Sequence, residues 1–209
     1  MSGTIIHEVK PLKGHLTGLY SDGELVCCID SELAAEKNVK PLREYTVDEL
    51  RELLSESQLR RARSKALYLL EYRDYSARDL ASRLRRDREY GDEAIDAAVE
   101  YLTEIGAIDD ARYAGNMIRH LISRKHYGRR RILQELSAKG IHRDTAEKAL
   151  SECDLDESAA ITELLEGKFS RDLSDEKGIR RTVATLQRYG YEMGDIMGAL
   201  REYRDRCEE

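Results

Sequence analysis

Basic side chains crowd one short segment of this otherwise acidic sequence, SRKHYGRRRILQELSAKGI at residues 123–141. Five lysines and arginines fall between Arg124 and Arg131, whereas the whole chain carries a formal net charge of −6. Because guanidinium groups pair with phosphate or carboxylate through two hydrogen bonds, the segment indicates a surface for such groups. Tyr127 in its middle either stacks on a base or packs to fix the turn, and we favour packing.

A second basic block precedes this one along the chain. Residues 59–89 hold 10 Lys and Arg against 5 Asp and Glu, and residues 119–149 hold 9 against 3. The acidic segment 90–118 separates them. One block alone could be a solvated helix face, but two blocks favour a binding surface. The side chains we predict to bind are Arg83, Arg85, Arg86, Arg88, Arg124, Lys125, Tyr127, Arg129, Arg130, Arg131, Lys139 and Arg143.

No residue pattern in the sequence indicates an enzyme. The chain has neither the GxGxxG pattern of dinucleotide-binding turns nor the GxxxxGK[ST] phosphate loop. Its histidines and cysteines show no HExxH, CxxC or other metal-ligand spacing. They are His7, His15, His120, His126, His142, Cys27, Cys28, Cys153 and Cys207. We therefore predict no catalytic residues, no cofactor and no metal.

The elements that carry the basic blocks are predicted to be helices. Two prolines, no tryptophan and a charged fraction of 36% favour long, surface-rich helices over an aromatic core. Helical periodicity begins near Leu59, and Gly128 is predicted to break the helix that enters the basic segment. The first 58 residues differ, because Asp22-Gly23 predicts a β-hairpin and Thr46 with Glu49 has capping-box spacing.

The helical part repeats about every fifty residues. Segments 136–150 and 186–200 align without a gap, and segment 84–99 aligns with one extra residue in its turn. Gly140 and Gly190 match, and each is predicted to end a helix in the left-handed conformation before a buried anchor. The two anchors are Ile141 and Tyr191. The two basic blocks occupy equivalent places in successive repeats, which strengthens the binding interpretation.

These patterns predict a mainly α protein, an elongated crescent of three tandem three-helix repeats with a small N-terminal β-hairpin region. The predicted domains are 1–58, the β-hairpin and short-helix region, followed by the repeats 59–107, 108–152 and 153–209. No signal peptide or membrane-spanning run is evident in the sequence, so we expect a cytoplasmic protein with reduced cysteines.

Three stretches resemble the RecX family. They are ALYLLEYRDYSARDLASRL, YLTEIGAIDDARYAGNMI and YGRRRILQELSAKGIHRDTAEKAL, and the resemblance covers residues 59–152 well and the third repeat loosely. It implies a non-enzymatic regulator of RecA recombinase that binds the RecA–single-stranded-DNA filament and inhibits its ATPase and strand exchange. It also implies roles in DNA repair, recombination and the SOS response, with Arg124, Lys125 and residues 128–131 facing the filament.

The net charge fits such a mixed partner better than bare duplex DNA, because an acidic chain repels phosphate. We expect weak direct DNA binding, a monomer and no membrane partner. Two alternatives stay open: a helix-turn-helix transcriptional regulator that reads DNA with the helix after His142, and a helical-repeat scaffold for another protein.

Overall fold

The computed structural model describes residues 3–153 and 155–208, and for residues 207 and 208 only the backbone, so the Cys207 side chain lies outside it. The described chain is mainly helical with a small N-terminal β region, which confirms the predicted class. The strands are β1 Thr4–Ile6, β2 Glu8–Leu12, β3 Leu16–Ser21, β4 Glu24–Asp30 and β5 Arg43–Tyr45. The helices are α1 Ser31–Glu36, α2 Val47–Tyr72, α3 Ala77–Asp87, α4 Asp92–Glu104, α5 Asp110–Lys125, α6 Arg129–Ala138, α7 Arg143–Ser151, α8 Glu157–Glu166, α9 Glu176–Tyr189 and α10 Met193–Glu208.

The N-terminal strands form two small antiparallel sheets. β1 pairs with β5, and β2, β3 and β4 form a meander in that order. Asp22 and Gly23 both have positive φ, as a two-residue hairpin turn requires, so the predicted hairpin is confirmed. Ile6, Leu19 and Ile29 are fully buried in the core of this region.

Helix α2 joins the β region to the first helical domain. The Thr46 hydroxyl accepts the Glu49 backbone N–H, while the Glu49 carboxylate accepts the Thr46 N–H, which is the predicted capping box. The helix continues without a break through residues 58 and 59, where the sequence placed a domain boundary. The described residues fall into two compact units that meet after Ile108. The four-domain division and the crescent shape stay predictions.

Equivalent leucines form the centre of each helical core. Leu84, Leu136 and Leu186 are all fully buried, in the cores of α2–α4, α5–α7 and α8–α10. Gly140 and Gly190 have φ values of +77° and +99°, so both are left-handed as predicted. The anchors that follow them, Ile141 and Tyr191, are buried. The two buried anchors predicted from the repeat are therefore confirmed.

The first domain reaches the same turn without glycine. Arg88 stands four residues after Leu84, the place that Gly140 and Gly190 hold after their leucines, and it is left-handed with φ +55°. Gly91, three residues later, is the N-cap of α4 and has an ordinary φ of −70°. The left-handed conformation is unfavourable for a residue with a side chain, so Arg88 lowers the stability of this turn relative to a glycine.

Candidate nucleic-acid interface

The second basic cluster, which comprises Arg124, Lys125 and Arg129–Arg131, straddles the junction of α5 and α6. Arg124 and Lys125 are exposed in the last turn of α5, where positive charge favours the helix dipole. His126 ends this helix in the left-handed conformation with φ +52°. The prediction that Gly128 ends this helix was wrong. The residue that ends it is the left-handed His126, two positions earlier.

Gly128 has a different reason to lack a side chain. Its φ is −79°, and its N–H donates to the carbonyl of Tyr189 at 2.8 Å. A Cβ at this position would lie 2.6 Å from Glu157 Oε1 and 2.8 Å from Tyr191 Cδ1. Gly128 therefore permits close backbone approach between the start of α6 and the turn after α9.

Three arginines occupy the first turn of α6, which is the wrong helix end for positive charge. The N-terminus of a helix carries partial positive charge, so each cation there costs about 0.3–1 kcal/mol. The first turn of α6 contains no acidic residue. Instead, Glu157 at the start of α8 accepts the Arg129 backbone N–H at 2.8 Å. A carboxylate from the following domain thus supplies the negative charge.

The side chains of these three arginines differ in how far they are neutralised. Arg131 pairs with Glu135 at 2.6 Å, and its guanidinium lies 5.6 Å from the Tyr127 ring centroid. Arg130 donates to the carbonyl of Gln187 at 3.0 Å. Neither Arg129 nor Arg130 forms a salt bridge among the described residues, although Arg129 lies near enough to Glu147 to help lower the pKa of that carboxylate. Their charges are therefore available to an anionic partner.

The other predicted residues of the second domain are less available. Arg143 at the start of α7 pairs with Glu147 at 2.8 Å, and this hydrogen bond raises the arginine pKa and lowers that of Glu147. Lys139 lies at the end of α6 and is half-buried. Tyr127 packs on the core of α5–α7 and against Tyr189, with 5.7 Å between ring centroids. This is the packing we favoured for Tyr127.

The first basic block is partly neutralised within its own unit. Arg85 donates to Asp92 at 2.8 Å and to Asp96 at 2.5 Å, and the Asp92 hydrogen bond is the main cause of its raised pKa. Arg83 pairs with Asp87 at 2.7 Å. Arg86 and Arg88 are exposed and form no ion pair among the described residues. From the sequence, all four arginines were predicted to bind. In the structure, only Arg86 and Arg88 are without an ion pair among the described residues and so available to a partner.

Sequence reasoning missed the residues of α8, α9 and the turn after α9 that meet the second basic cluster. Gln187 and Tyr189 contact it directly, Glu157 caps it, and the buried Tyr191 hydroxyl donates to the carbonyl of His126 at 2.9 Å. Lys168 in turn lies 2.6 Å from the Tyr189 hydroxyl. The only signal in the sequence was the Tyr-Gly-Tyr at 189–191, aligned with Lys-Gly-Ile at 139–141.

The buried Tyr191 hydroxyl makes the free energy of unfolding depend on pH. Burial, followed by the nearby carboxylates of Glu157 and Glu163, raises its pKa above the ordinary value of 10.0. Above pH 10 the unfolded chain therefore releases this proton while the folded protein holds it. Stability falls as pH rises through this window, by up to about 1.4 kcal/mol per pH unit from this group.

Tyr191→Phe is expected to lower the free energy of unfolding at pH 8 by about 1 kcal/mol, because one buried hydrogen bond is lost. The variant should also lose stability less steeply than the unmodified protein above pH 10. Urea unfolding at pH 8, 10 and 11 measures both effects, and the remaining tyrosines are common to the two proteins. Parallel slopes above pH 10 would contradict the assignment.

Metal and membrane features do not add to this surface. The described residues contain no group of three or more His, Cys, Asp or Glu side chains that could hold a metal ion. Among them, no helix combines the length and the apolar character that crossing a membrane requires. Cys27, Cys28 and Cys153 are free thiols, and burial raises the pKa of Cys27.

Family profiles match the two domains that carry the basic blocks. Residues 62–102 match the profile described as RecX, first three-helix domain, and residues 109–150 match RecX, second three-helix domain. Two solved structures share the fold. One, titled regulatory protein RecX, has a TM-score of 0.68 at 18% identity and covers 96% of this chain and 99% of its own. RecX from Lactobacillus salivarius has a TM-score of 0.61 at 22% identity and covers 69% of this chain and 96% of its own.

Curated relatives are considerably closer in sequence. Regulatory protein RecX of Shigella boydii serotype 18 is 36% identical over 154 residues, which cover 68% of this chain and 90% of the relative. Regulatory protein RecX of Pectobacterium atrosepticum is 38% identical over 139 residues, covering 66% of this chain and 76% of the relative. With two matching domain profiles and this degree of identity across most of its length, the chain belongs to the RecX family.

Proposed function

We propose that this protein is a non-enzymatic cytoplasmic regulator that binds the RecA–single-stranded-DNA filament and inhibits its ATPase and strand-exchange activities. Its relatives are named regulatory proteins, and the resemblance to the RecX family implies the recombinase as the target. Because the protein is acidic overall, we expect a partner with both acidic and basic surfaces, and only weak binding to bare DNA.

The observation that carries this proposal is the arginine-rich first turn of α6. Three arginines at the positive end of a helix dipole oppose helix stability. Local rules of this kind are broken mainly where function requires it. Of these side chains, Arg129 and Arg130 are exposed and form no salt bridge among the described residues. Together with Arg124 and Lys125, they offer the filament a compact set of unneutralised charges.

The helix-turn-helix alternative receives less support from the same domain. A recognition helix presents its N-terminal residues to base edges in the major groove. In α7 these residues include the exposed Asp144 and the Arg143–Glu147 pair. Both place carboxylates where the DNA would lie, so we do not favour duplex reading by this helix.

Replacing Arg129, Arg130 and Arg131 together by Ala tests the proposal. The unmodified protein is expected to suppress single-stranded-DNA-dependent ATP hydrolysis by RecA at substoichiometric amounts. The triple variant should need at least about tenfold more protein for half-maximal inhibition, because charge-assisted hydrogen bonds to the filament are lost. Alanine is a strong helix former, so the α6 fold should persist.

A matched variant separates this effect from a general loss of charge. Arg171, Arg201 and Arg204 in the C-terminal part of the chain are also exposed, and replacing them by Ala removes the same number of charges. This control should inhibit RecA within about twofold of the unmodified protein. Equal weakening by both triple variants would show that net charge, and not the first turn of α6, determines inhibition. No effect on ATP hydrolysis at excess unmodified protein would contradict the proposal itself.

A further inference from the structure

A groove of about 730 Å³ lies between α6 and the C-terminal end of α9, within the second unit. It lies beside the basic cluster but extends beyond the residues predicted from sequence. Its lining combines arginines, tyrosines and glutamines, and contains no carboxylate. The lining residues are Tyr127, Arg130, Arg131, Gln134, Ala184, Gln187, Arg188, Tyr189 and Gly190.

The three arginines make the groove strongly positive. Arg188 is exposed on α9 and donates a hydrogen bond to the hydroxyl of Thr185 at 3.0 Å, which is a neutral partner. Arg130 is held by a neutral partner too, the carbonyl of Gln187. Arg131 is the one lining arginine that is paired to a carboxylate, that of Glu135. Lys168 does not line the groove, but its ammonium donates to the Tyr189 hydroxyl at 2.6 Å and lies 5.2 Å from the centroid of that ring.

A second groove of about 470 Å³ adjoins the first along α6 and shares two of its lining residues, Arg130 and Gln134. It is lined by the apolar side chains of Leu133, Ile141 and Ala146, and also by the Arg143–Glu147 ion pair. The two grooves together form a path along α6 that begins with cations and aromatic rings and continues over apolar side chains.

The chemistry of the first groove, whose described lining contains no carboxylate, fits unpaired nucleotides better than other anions. Arginine pairs with phosphate, tyrosine rings stack on bases, and glutamine amides bond to base edges. An acidic peptide would use the arginines but neither the stacking surface nor the amides. Pockets of about 300 to 1,000 Å³ hold ligands of drug size, so a nucleotide or two fits and a duplex does not.

We propose that this groove binds a short segment of single-stranded DNA, with phosphates at Arg130 and Arg188 and a base against Tyr189. The inference deepens the proposed function and rests on it, since it gives the second and third domains a direct contact with the DNA strand of the filament. It assigns binding roles to Arg188 and Tyr189, which lie outside both basic blocks.

Binding of fluorescent oligo(dT) and of a duplex of equal length, followed by anisotropy at low salt, where weak binding to bare DNA is strongest, tests the groove in the full chain. Arg188→Ala is expected to weaken oligo(dT) binding about tenfold, because one charge-assisted contact is removed. The slope of the logarithm of the binding constant against the logarithm of the salt concentration should become shallower by about 0.7, the contribution of one phosphate contact on a single strand. Arg201→Ala is the matched control, since Arg201 is exposed and does not line the groove. It should change affinity less than twofold.

Photo-crosslinking with an oligonucleotide that contains 5-iododeoxyuridine locates the base. The expected crosslinked peptide contains Tyr189 or Tyr127, whereas crosslinks confined to other tyrosines would overturn the assignment. Equal effects of Arg188→Ala and Arg201→Ala would also overturn it, as would duplex binding as tight as oligo(dT) binding. Displacement of bound oligo(dT) by a poly-glutamate peptide at equal affinity would identify a general anion site and reject the nucleotide.

Parallel RecA ATPase assays distinguish failure of this inference from failure of the proposed function. If Arg188→Ala leaves oligo(dT) binding intact while the protein still inhibits RecA, the groove assignment fails and the filament proposal stands. If oligo(dT) binding depends on Arg188 and crosslinks to Tyr189 while RecA is unaffected, the groove is supported and the filament proposal fails.

Discussion

Gly190→Ala is expected to lower the free energy of unfolding of the second unit by about 3 kcal/mol. The backbone at Gly190 has φ +99°, which costs a residue with a side chain about 1–2 kcal/mol. An added Cβ would also overlap the backbone nitrogen of Arg131 and lie 2.6 Å from its Cβ. Overpacking of this kind costs about 1–3 kcal/mol more. Urea denaturation followed by circular dichroism measures the change.

Gly198→Ala is the matched control on the next helix, α10. A Cβ there meets nothing within 4 Å, and its φ is not in the left-handed region. Because alanine favours a helix over glycine, this variant should be more stable by about 0.5–1 kcal/mol. If both variants changed stability in the same direction and by similar amounts, the close approach of the Gly190 turn to α6 would be refuted.

Leu136→Ala is expected to cost about 3 kcal/mol, because truncation of a fully buried leucine loses transfer free energy and leaves a cavity. Leu136 is the repeat equivalent of Leu84 and Leu186 and lies at the centre of the α5–α7 core. The shift of the urea midpoint measures the loss when the slope of the unfolding free energy against urea concentration is unchanged.

Leu133→Ala provides the comparison within the same helix. Leu133 is half-buried and lines the groove face of α6, so its truncation should cost only about 1 kcal/mol. Losses of equal size at the two leucines would contradict the orientation of α6. The pair therefore tests which face of this helix is core and which is surface.

Local features of the fold were predictable from the sequence because they depend on residues close together in the chain. The capping box at Thr46 and Glu49, the hairpin at Asp22-Gly23 and the glycine-ended helices at 140 and 190 follow from backbone chemistry over a few residues. The buried anchors Ile141 and Tyr191 followed from the repeat and the helix ends before them. Each of these required no knowledge of distant contacts.

The missed features depend on contacts that are remote in sequence. Arg85 looked available until its partners Asp92 and Asp96 on the next helix were known. Gly128 looked like a helix breaker, whereas its role is to approach Tyr191, which lies 63 positions away in the printed sequence. No local pattern reports such pairings, so the third-domain side of the candidate interface could not be predicted.

Co-sedimentation with RecA filaments preassembled on single-stranded DNA, using a non-hydrolysable ATP analogue, tests the central claim most directly. At moderate salt the protein is expected to sediment with the filament and to remain in solution with the same DNA alone, because bare-DNA binding by an acidic chain is weak and falls steeply with salt. The Arg129, Arg130 and Arg131 triple Ala variant should remain largely in solution in both cases. Equal recovery of the unmodified protein with bare DNA and with filament, or no recovery with either, would contradict a regulator that recognises the filament.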